Sequence, residues 1–344
     1  MGAEPIERWN LADQSRAGIF TISLDFELFW GVRDVIPLSH YEDRLRAVHR
    51  AVPRMLDLFQ EYGIRATWAT VGFLFMESFE ELHARRPALL PAYRNAAFCP
   101  YRYSDAPESR ERAIHFAPEL IQQILETPGQ EVGSHTLSHF YCLEEPRSLD
   151  AFRADLRGAL DVARDKFGVR LKSLVFPRNQ YSPAHANVAA ELGFVAIRGN
   201  PESWMYVARA WDEAGRGARG ARLLDAYVPV ARGLLHTKEA LRGTWPVDLK
   251  ASRFLRGYSH ALRHLEALKV RRIRRELRAA ARSKRFYHLW WHPHNFGAQL
   301  EENLTNLRAI LETFQEMKER YGMQSLSMAD AAEQILSSNR VEAA

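Results

Sequence analysis

Residues 19–24 read IFTISL, residues 41–62 read YEDRLRAVHRAVPRMLDLFQEY, and residues 66–71 read ATWATV. The first and last stretches are short, apolar and rich in β-branched residues, as strands buried within a sheet require. Between them Leu45, Val48, Val52, Met55, Leu56 and Phe59 recur with the 3.6-residue period of an amphipathic helix, and Gly63 supplies its stop. Working outward, the same order recurs. Helices are expected over 118–126, 149–167, 184–192 and 300–321, and strands over 131–134, 172–176, 194–197, 286–291 and 325–328. Repeated strand-then-helix units predict an α/β fold with a mostly parallel sheet, and about seven of them predict a closed or nearly closed barrel. No linker divides the chain, so one domain is expected over 1–344 with its core at about 19–332. Residues 73–116 and 200–258 read as two long loop insertions, with GRGARG (215–220) a flexible turn in the second.

Composition narrows the class. The 344 residues are 47% hydrophobic and 26% charged, an ordinary globular balance. Two cysteines, Cys99 and Cys142, are too few for a disulfide framework and lack metal-site spacing. The first nineteen residues include Glu4, Glu7, Arg8, Asp13 and Arg16 and no apolar core of a secretory leader. No apolar run reaches the ~20 residues of a membrane span. A soluble, cytoplasmic protein is expected. The net charge is +5, yet residues 253–285 alone hold twelve Lys or Arg against Glu266 and Glu276. The basic character therefore belongs to one segment, and nucleic-acid binding by the whole body is not expected.

Four polar groups fall just past expected strands. The first is Asp25-Phe26-Glu27. The second is Gly133-Ser134-His135-Thr136-Leu137-Ser138-His139, whose histidines four apart share one face of a helical turn and can hold one metal ion. The third is Phe176-Pro177-Arg178-Asn179-Gln180, where an arginine can pair with a pocket carboxylate. The fourth is Trp290-Trp291-His292-Pro293-His294. Each has a bland reading as loop acids, exposed histidines or core aromatics. Their shared position at strand ends is the argument, because a parallel barrel gathers those ends on one face.

At these residues the chain resembles the polysaccharide deacetylase family, carbohydrate esterase family four, over roughly residues 19–332 outside the two insertions. SLDFE resembles the family's first motif, GSHTLSH its metal-binding histidine motif, FPRNQ its arginine motif, and WWHP the strand with its catalytic histidine. The resemblance implies a deformed (β/α)7-type barrel and one divalent metal ion, usually Zn2+, with Co2+, Ni2+ or Fe2+ as alternatives. It implies His135 and His139 as metal ligands, Asp25 as general base, Arg178 as its charge partner and His292 as general acid. The family's usual first motif has two adjacent aspartates, the second a ligand. Here Phe26 takes that slot, and Glu27, one further on, fits a variant with spaced acids.

The implied activity is metal-dependent hydrolysis of an N-acyl group, N-acetyl above all, from an amino sugar in a glycan or glycan precursor. Trp30, Trp204, Trp291, Asn179, Gln180 and His294 are candidate substrate contacts. Without a leader, the expected partner is a nucleotide-linked or lipid-linked amino-sugar precursor. The basic 253–285 segment, through Arg271, Arg272, Arg274 and Arg275, offers a peripheral contact with an anionic membrane surface. Two other functions stay open: an allantoinase-like hydrolase of a cyclic amide or ureide, and a non-catalytic carbohydrate-binding relative.

Overall fold

In the computed structural model, which describes residues 17–144, 146–207, 216–228 and 234–342, all nine strands belong to one sheet. They are β1 (Ile19–Phe26), β2 (Ala66–Thr70), β3 (Glu131–Ser134), β4 (Ser173–Val175), β5 (Ala196–Arg198), β6 (Val247–Asp248), β7 (Arg253–Phe254), β8 (Phe286–Trp291) and β9 (Gln324–Ser325). The order is β6-β5-β4-β3-β2-β1-β8-β7, with β9 added on β1, and every ladder is parallel. The sheet curls into a deformed (β/α)7-type barrel whose edges, β6 and β7, are joined by no ladder among the described residues.

The helices cover the outside: α1 (Glu42–Glu61), α2 (Pro118–Glu126), α3 (Leu149–Phe167), α4 (Pro183–Glu191), α5 (Arg216–Tyr227), α6 (Glu266–Arg282), α7 (Leu300–Tyr321) and α8 (Met328–Glu342). The apolar stripe of α1 buries Leu45, Val48, Val52, Met55 and Phe59, as its spacing predicts. α3 ends at Gly168, whose φ of 66° is the left-handed stop that glycine takes at least cost. Alternation along β1 sends Phe20, Ile22, Leu24 and Phe26 outward into the helix layer. Ile19 faces inward with Ala69, Val175, Ala196 and Phe286, and packs with Met328, Ala331 and Ile335 of α8. That helix stoppers the amino-terminal end of the barrel, with Met328 N–H bonded to Thr67 Oγ1 at 2.7 Å. The opposite end is left for a site.

Several expectations are corrected. The segment 200–258 is not only a loop, for it carries β6 and β7. Two-residue strands are too short to show a period in sequence. Residues 216–220 of GRGARG open α5 instead of a turn, and Gly215 lies outside the described residues; Asp225 of that helix is buried against Arg253 and Arg272, and this tertiary anchor overrides the weak helix propensity of its glycines. The strand expected at 325–328 stops at Ser325, and Met328 begins α8. Residues 260–282, within the basic segment, form a 3-10 turn (His260–Leu265) followed by α6. No helix among the described residues is long and apolar enough to cross a membrane.

Candidate active site

Asp25 ends the inward-facing column of β1, and Glu27 follows in the turn beyond it. Both are almost completely buried. The Glu27 side chain folds back over Gly31: a Cβ on that glycine would lie 2.0 Å from Glu27 Cδ. Glu27 Oε2 then sits 3.4 Å from His135 Nε2 and 3.2 Å from His139 Nε2.

The two histidines do not lie on a helical turn. The loop after β3 is bent by left-handed residues at Thr136 (φ 64°) and His139 (φ 59°), conformations that cost on the order of 1–3 kcal/mol each unless the surroundings hold them. Here they are held. Asp155 of α3 accepts from Leu137 N–H at 2.8 Å and from the Ser138 hydroxyl. Thr136 Oγ1 accepts from Phe140 N–H at 2.8 Å, and Gly72 and Phe73 N–H bond the carbonyls of Thr136 and Leu137.

Three donor atoms, from Glu27, His135 and His139, converge within 4.8 Å of one another. His135 Nδ1 donates to the Val175 carbonyl at 2.8 Å. Because a carbonyl can only accept, this bond fixes a hydrogen on Nδ1 and leaves Nε2 as the ring atom that faces Glu27. Burial pushes the His139 imidazole down to about 4, with Glu27 opposing, so it is neutral near pH 7. Burial alone would raise the Glu27 carboxyl, but His292, His135 and His139 outweigh it and hold it well below its usual value. Two imidazoles and one carboxylate form the facial donor set that suits a divalent transition ion and leaves positions open. The residues fit a metal.

Asp25 is held differently from expectation. Its partner is Arg198, the last residue of β5, which grips it in a bidentate pair at 2.6 and 2.8 Å. Arg198 is wholly buried, lies 4.1 Å beneath the Trp290 ring, and gives a further N–H to Asn179 Oδ1 at 2.9 Å. Burial raises the Asp25 carboxyl, but Arg198 above all, then His135 and His292, outweigh it and leave it below its usual value. Arg178 points elsewhere. Left-handed backbone at Arg178 (φ 56°) and Asn179 (φ 52°) turns it away from the barrel axis. It pairs with Asp34 and lies 3.9 Å over the Tyr141 ring.

His292 closes the site from the late strand, with Nε2 3.7 Å from Asp25 Oδ2 and 3.6 Å from Glu27 Oε1. Its side chain is 23% exposed, against 4% for both acids, so the approach from outside is on its side. His294 stacks on it at 5.0 Å and is buried, its Nδ1 3.9 Å from Glu27 Oε1.

The expected substrate contacts fare unevenly. Trp30 is core: it is fully buried against Phe73 and donates Nε1–H to the His115 carbonyl at 2.7 Å. Trp291 is also core, stacked on Phe296 at 5.7 Å. Strand alternation puts Trp290, not Trp291, on the barrel side, beside Arg198, Phe254 and His292. Asn179 supports Arg198, and Gln180 is buried. The Trp204 side chain lies outside the described residues. Arg198 is the residue of the candidate site that sequence reading missed. Its signal was available, because it ends a short β-rich run as the other site residues do.

Residues 40–197 match the family model of the polysaccharide deacetylases. Over those residues the chain is similar to the polysaccharide deacetylases. The match includes His135 and His139 but stops short of Asp25, Glu27 and His292. No curated protein sequence matches the chain. Among solved structures, one assigned to the polysaccharide deacetylases from Mycobacterium smegmatis covers 98% of this chain and 96% of its own at 15% identity and a TM-score of 0.57. Puue allantoinase covers 97% and 94% at 11% identity and TM-score 0.52. A further polysaccharide deacetylase assignment, from Pseudomonas aeruginosa PAO1, covers 93% and 91% at 12% identity and TM-score 0.50. At such identities these likenesses speak to the fold. The family match supports deacylation of carbohydrate as the general activity.

Proposed function

We propose that the protein removes an N-acyl group, N-acetyl first of all, from an amino sugar in a glycan or glycan precursor. The observation that carries this reading is the meeting of Asp25, Glu27, His135, His139 and His292 at one barrel end, from three separate strands. Glu27, His135 and His139 would hold one divalent ion, Zn2+ by donor type. When bound, such an ion supplies Lewis-acid polarisation of the acyl carbonyl and makes water a better nucleophile.

The chain's own residues supply the proton transfers. Asp25, kept ionised by Arg198, takes a proton from the attacking water as its oxygen bonds to the acyl carbon. His292 gives a proton to the nitrogen as the C–N bond breaks, so a neutral amine departs from the carboxylic acid. Trp290 and Phe254 offer an apolar wall beside His292 on which a sugar ring can stack.

The substrate class we propose is a nucleotide-linked or lipid-linked amino sugar in the cytoplasm. The basic segment contributes less than its sequence implied. Arg272 is buried on Asp225, and Arg274 donates to Thr313 at 2.7 Å, which leaves Arg271 and Arg275 of the four exposed to meet an anionic surface. The test is release of acetate and free amine from N-acetylated chitooligosaccharides and nucleotide-linked N-acetyl amino sugars, with and without zinc. His135→Ala and Asp25→Asn should abolish it, the first with loss of bound metal and the second without. A second reading, hydrolysis of a cyclic ureide, is favoured by the fold likeness to Puue allantoinase. Turnover of allantoin by a protein inert toward every sugar would choose it.

A further inference from the structure

Beneath the Asp25–Arg198 pair the barrel interior contains two polar side chains that the proposed chemistry does not use, Ser23 and His288. Both are completely buried. Ser23 sits one inward position before Asp25 on β1, and His288 sits on the neighbouring β8, one inward position before Trp290, the register partner of Ser23. His288 Nδ1 lies 2.9 Å from the Leu249 carbonyl, and Nε2 lies 2.8 Å from Ser23 Oγ. Ser23 Oγ in turn lies 3.0 Å from Arg198 Nη1.

These contacts have one consistent assignment of protons. The Leu249 carbonyl can only accept, so His288 Nδ1 carries a hydrogen. Burial first, then the charge of Arg198, pushes the imidazole down to about 3, so His288 is neutral and Nε2 has only a lone pair. Nε2 must accept, and the Ser23 hydroxyl must donate to it. The Ser23 lone pairs are then turned toward Arg198. All four terminal guanidinium hydrogens have named acceptors: Ser23 and Asp25 for Nη1, Asp25 and Asn179 for Nη2. Without His288 nothing holds the hydroxyl hydrogen away from the cation, and the rotor can turn it toward Arg198.

We propose that Ser23 and His288 are positioning residues: by fixing the Arg198 guanidinium they fix the carboxylate plane of Asp25 toward the attacking water. This rests on the reading of Asp25 as the base. A base misplaced by about 1 Å can cost on the order of a hundredfold in rate, while neither residue touches Glu27, His135 or His139.

Two measurements test it. The first needs no substrate. In native protein labelled with 15N, His288 should show a protonated Nδ1 and an unprotonated, hydrogen-bonded Nε2 near pH 7, and the Arg198 Nη hydrogens should give separate, slowly exchanging signals. In Ser23→Ala the Arg198 signals should average. An Nε2–H tautomer, or unchanged Arg198 signals in Ser23→Ala, overturns the chain whatever the activity proves to be. The second measures turnover of an N-acetylated chitooligosaccharide by the zinc-loaded enzyme. Ser23→Ala should lower kcat about 10- to 100-fold with KM and zinc content held and the protein still folded, and Ser23→Thr, which keeps the hydroxyl, should recover most of it. Native-like kcat in Ser23→Ala, or a Thr variant no better than Ala, overturns the positioning role. Absence of turnover by the native enzyme would bear on the proposed function instead, with the spectra still deciding the chain.

Discussion

Replacing Gly31 by alanine should detach Glu27 from the candidate metal centre without unfolding the protein. The added Cβ would stand 2.0 Å from Glu27 Cδ and 2.1 and 2.4 Å from its two oxygens. Ordinary carbon–carbon contact begins near ~3.5 Å, so the carboxylate must retreat by roughly 1.5 Å. Its Oε2 lies 3.2–3.4 Å from the two histidine nitrogens, and a shift of that size removes it from a shared coordination sphere. The fold should tolerate the change. Gly31 has no left-handed backbone, and what the methyl meets is the end of a side chain. Its lower unfolded-state entropy even returns about 0.4–1 kcal/mol. Loss of one ligand orientation should weaken divalent binding about 10- to 100-fold. Isothermal titration of the apo protein with Zn2+, and the visible spectrum of the Co2+ form, would measure this beside Glu27→Gln. Native metal affinity in Gly31→Ala, with a native melting curve, would refute the reasoning and remove Glu27 from the ligand set.

Arg198→Ala should cost about 3–5 kcal/mol of stability, since it leaves a buried carboxylate unpaired, and should nearly abolish turnover; Arg178→Ala should reduce turnover far less, and equal kinetic losses would restore the sequence-based assignment. Trp291→Ala should destabilise by about 3–5 kcal/mol as a core truncation, whereas Trp290→Phe should raise KM for a sugar substrate with little change in denaturation midpoint, a pattern that reversed tryptophan roles would invert. Burial raises Asp155 to about 6, so between its unfolded value near 3.8 and that point the folded state binds the extra proton. Its contribution is therefore greatest below that window and falls by about 3 kcal/mol as pH rises through it. Asp155→Asn should flatten this slope in urea melts at pH 4 to 7, and an unchanged slope would show that the group titrates normally.

The local signals on which the sequence reading relied were periodicity and stop residues. They sufficed for α1, α2, α3 and α7, whose expected bounds the structure meets closely, because a buried stripe must repeat at 3.6 residues and Gly168 must end a helix. They failed where an element is too short to have a period, as in β6 and β7. They failed again in α5, where burial of Asp225 between two arginines overrides glycine's preference.

The chemistry divides in the same way. Asp25, Glu27, His135, His139 and His292 could be named from one chain because each lies at or just past a strand end, and parallel strands gather their ends by topology alone. Which cation reaches Asp25 could not be named so. Arg178 and Arg198 both stand at strand ends, and the choice depends on left-handed backbone at Arg178 that aims it at Asp34, while Arg198 lies in register inside the barrel. The same holds for the two adjacent tryptophans: one residue of register decides which faces the site. Composition and period determine which segments meet. Side-chain direction, which depends on φ, on register and on the partner already waiting, is settled only when the sheet has closed around them.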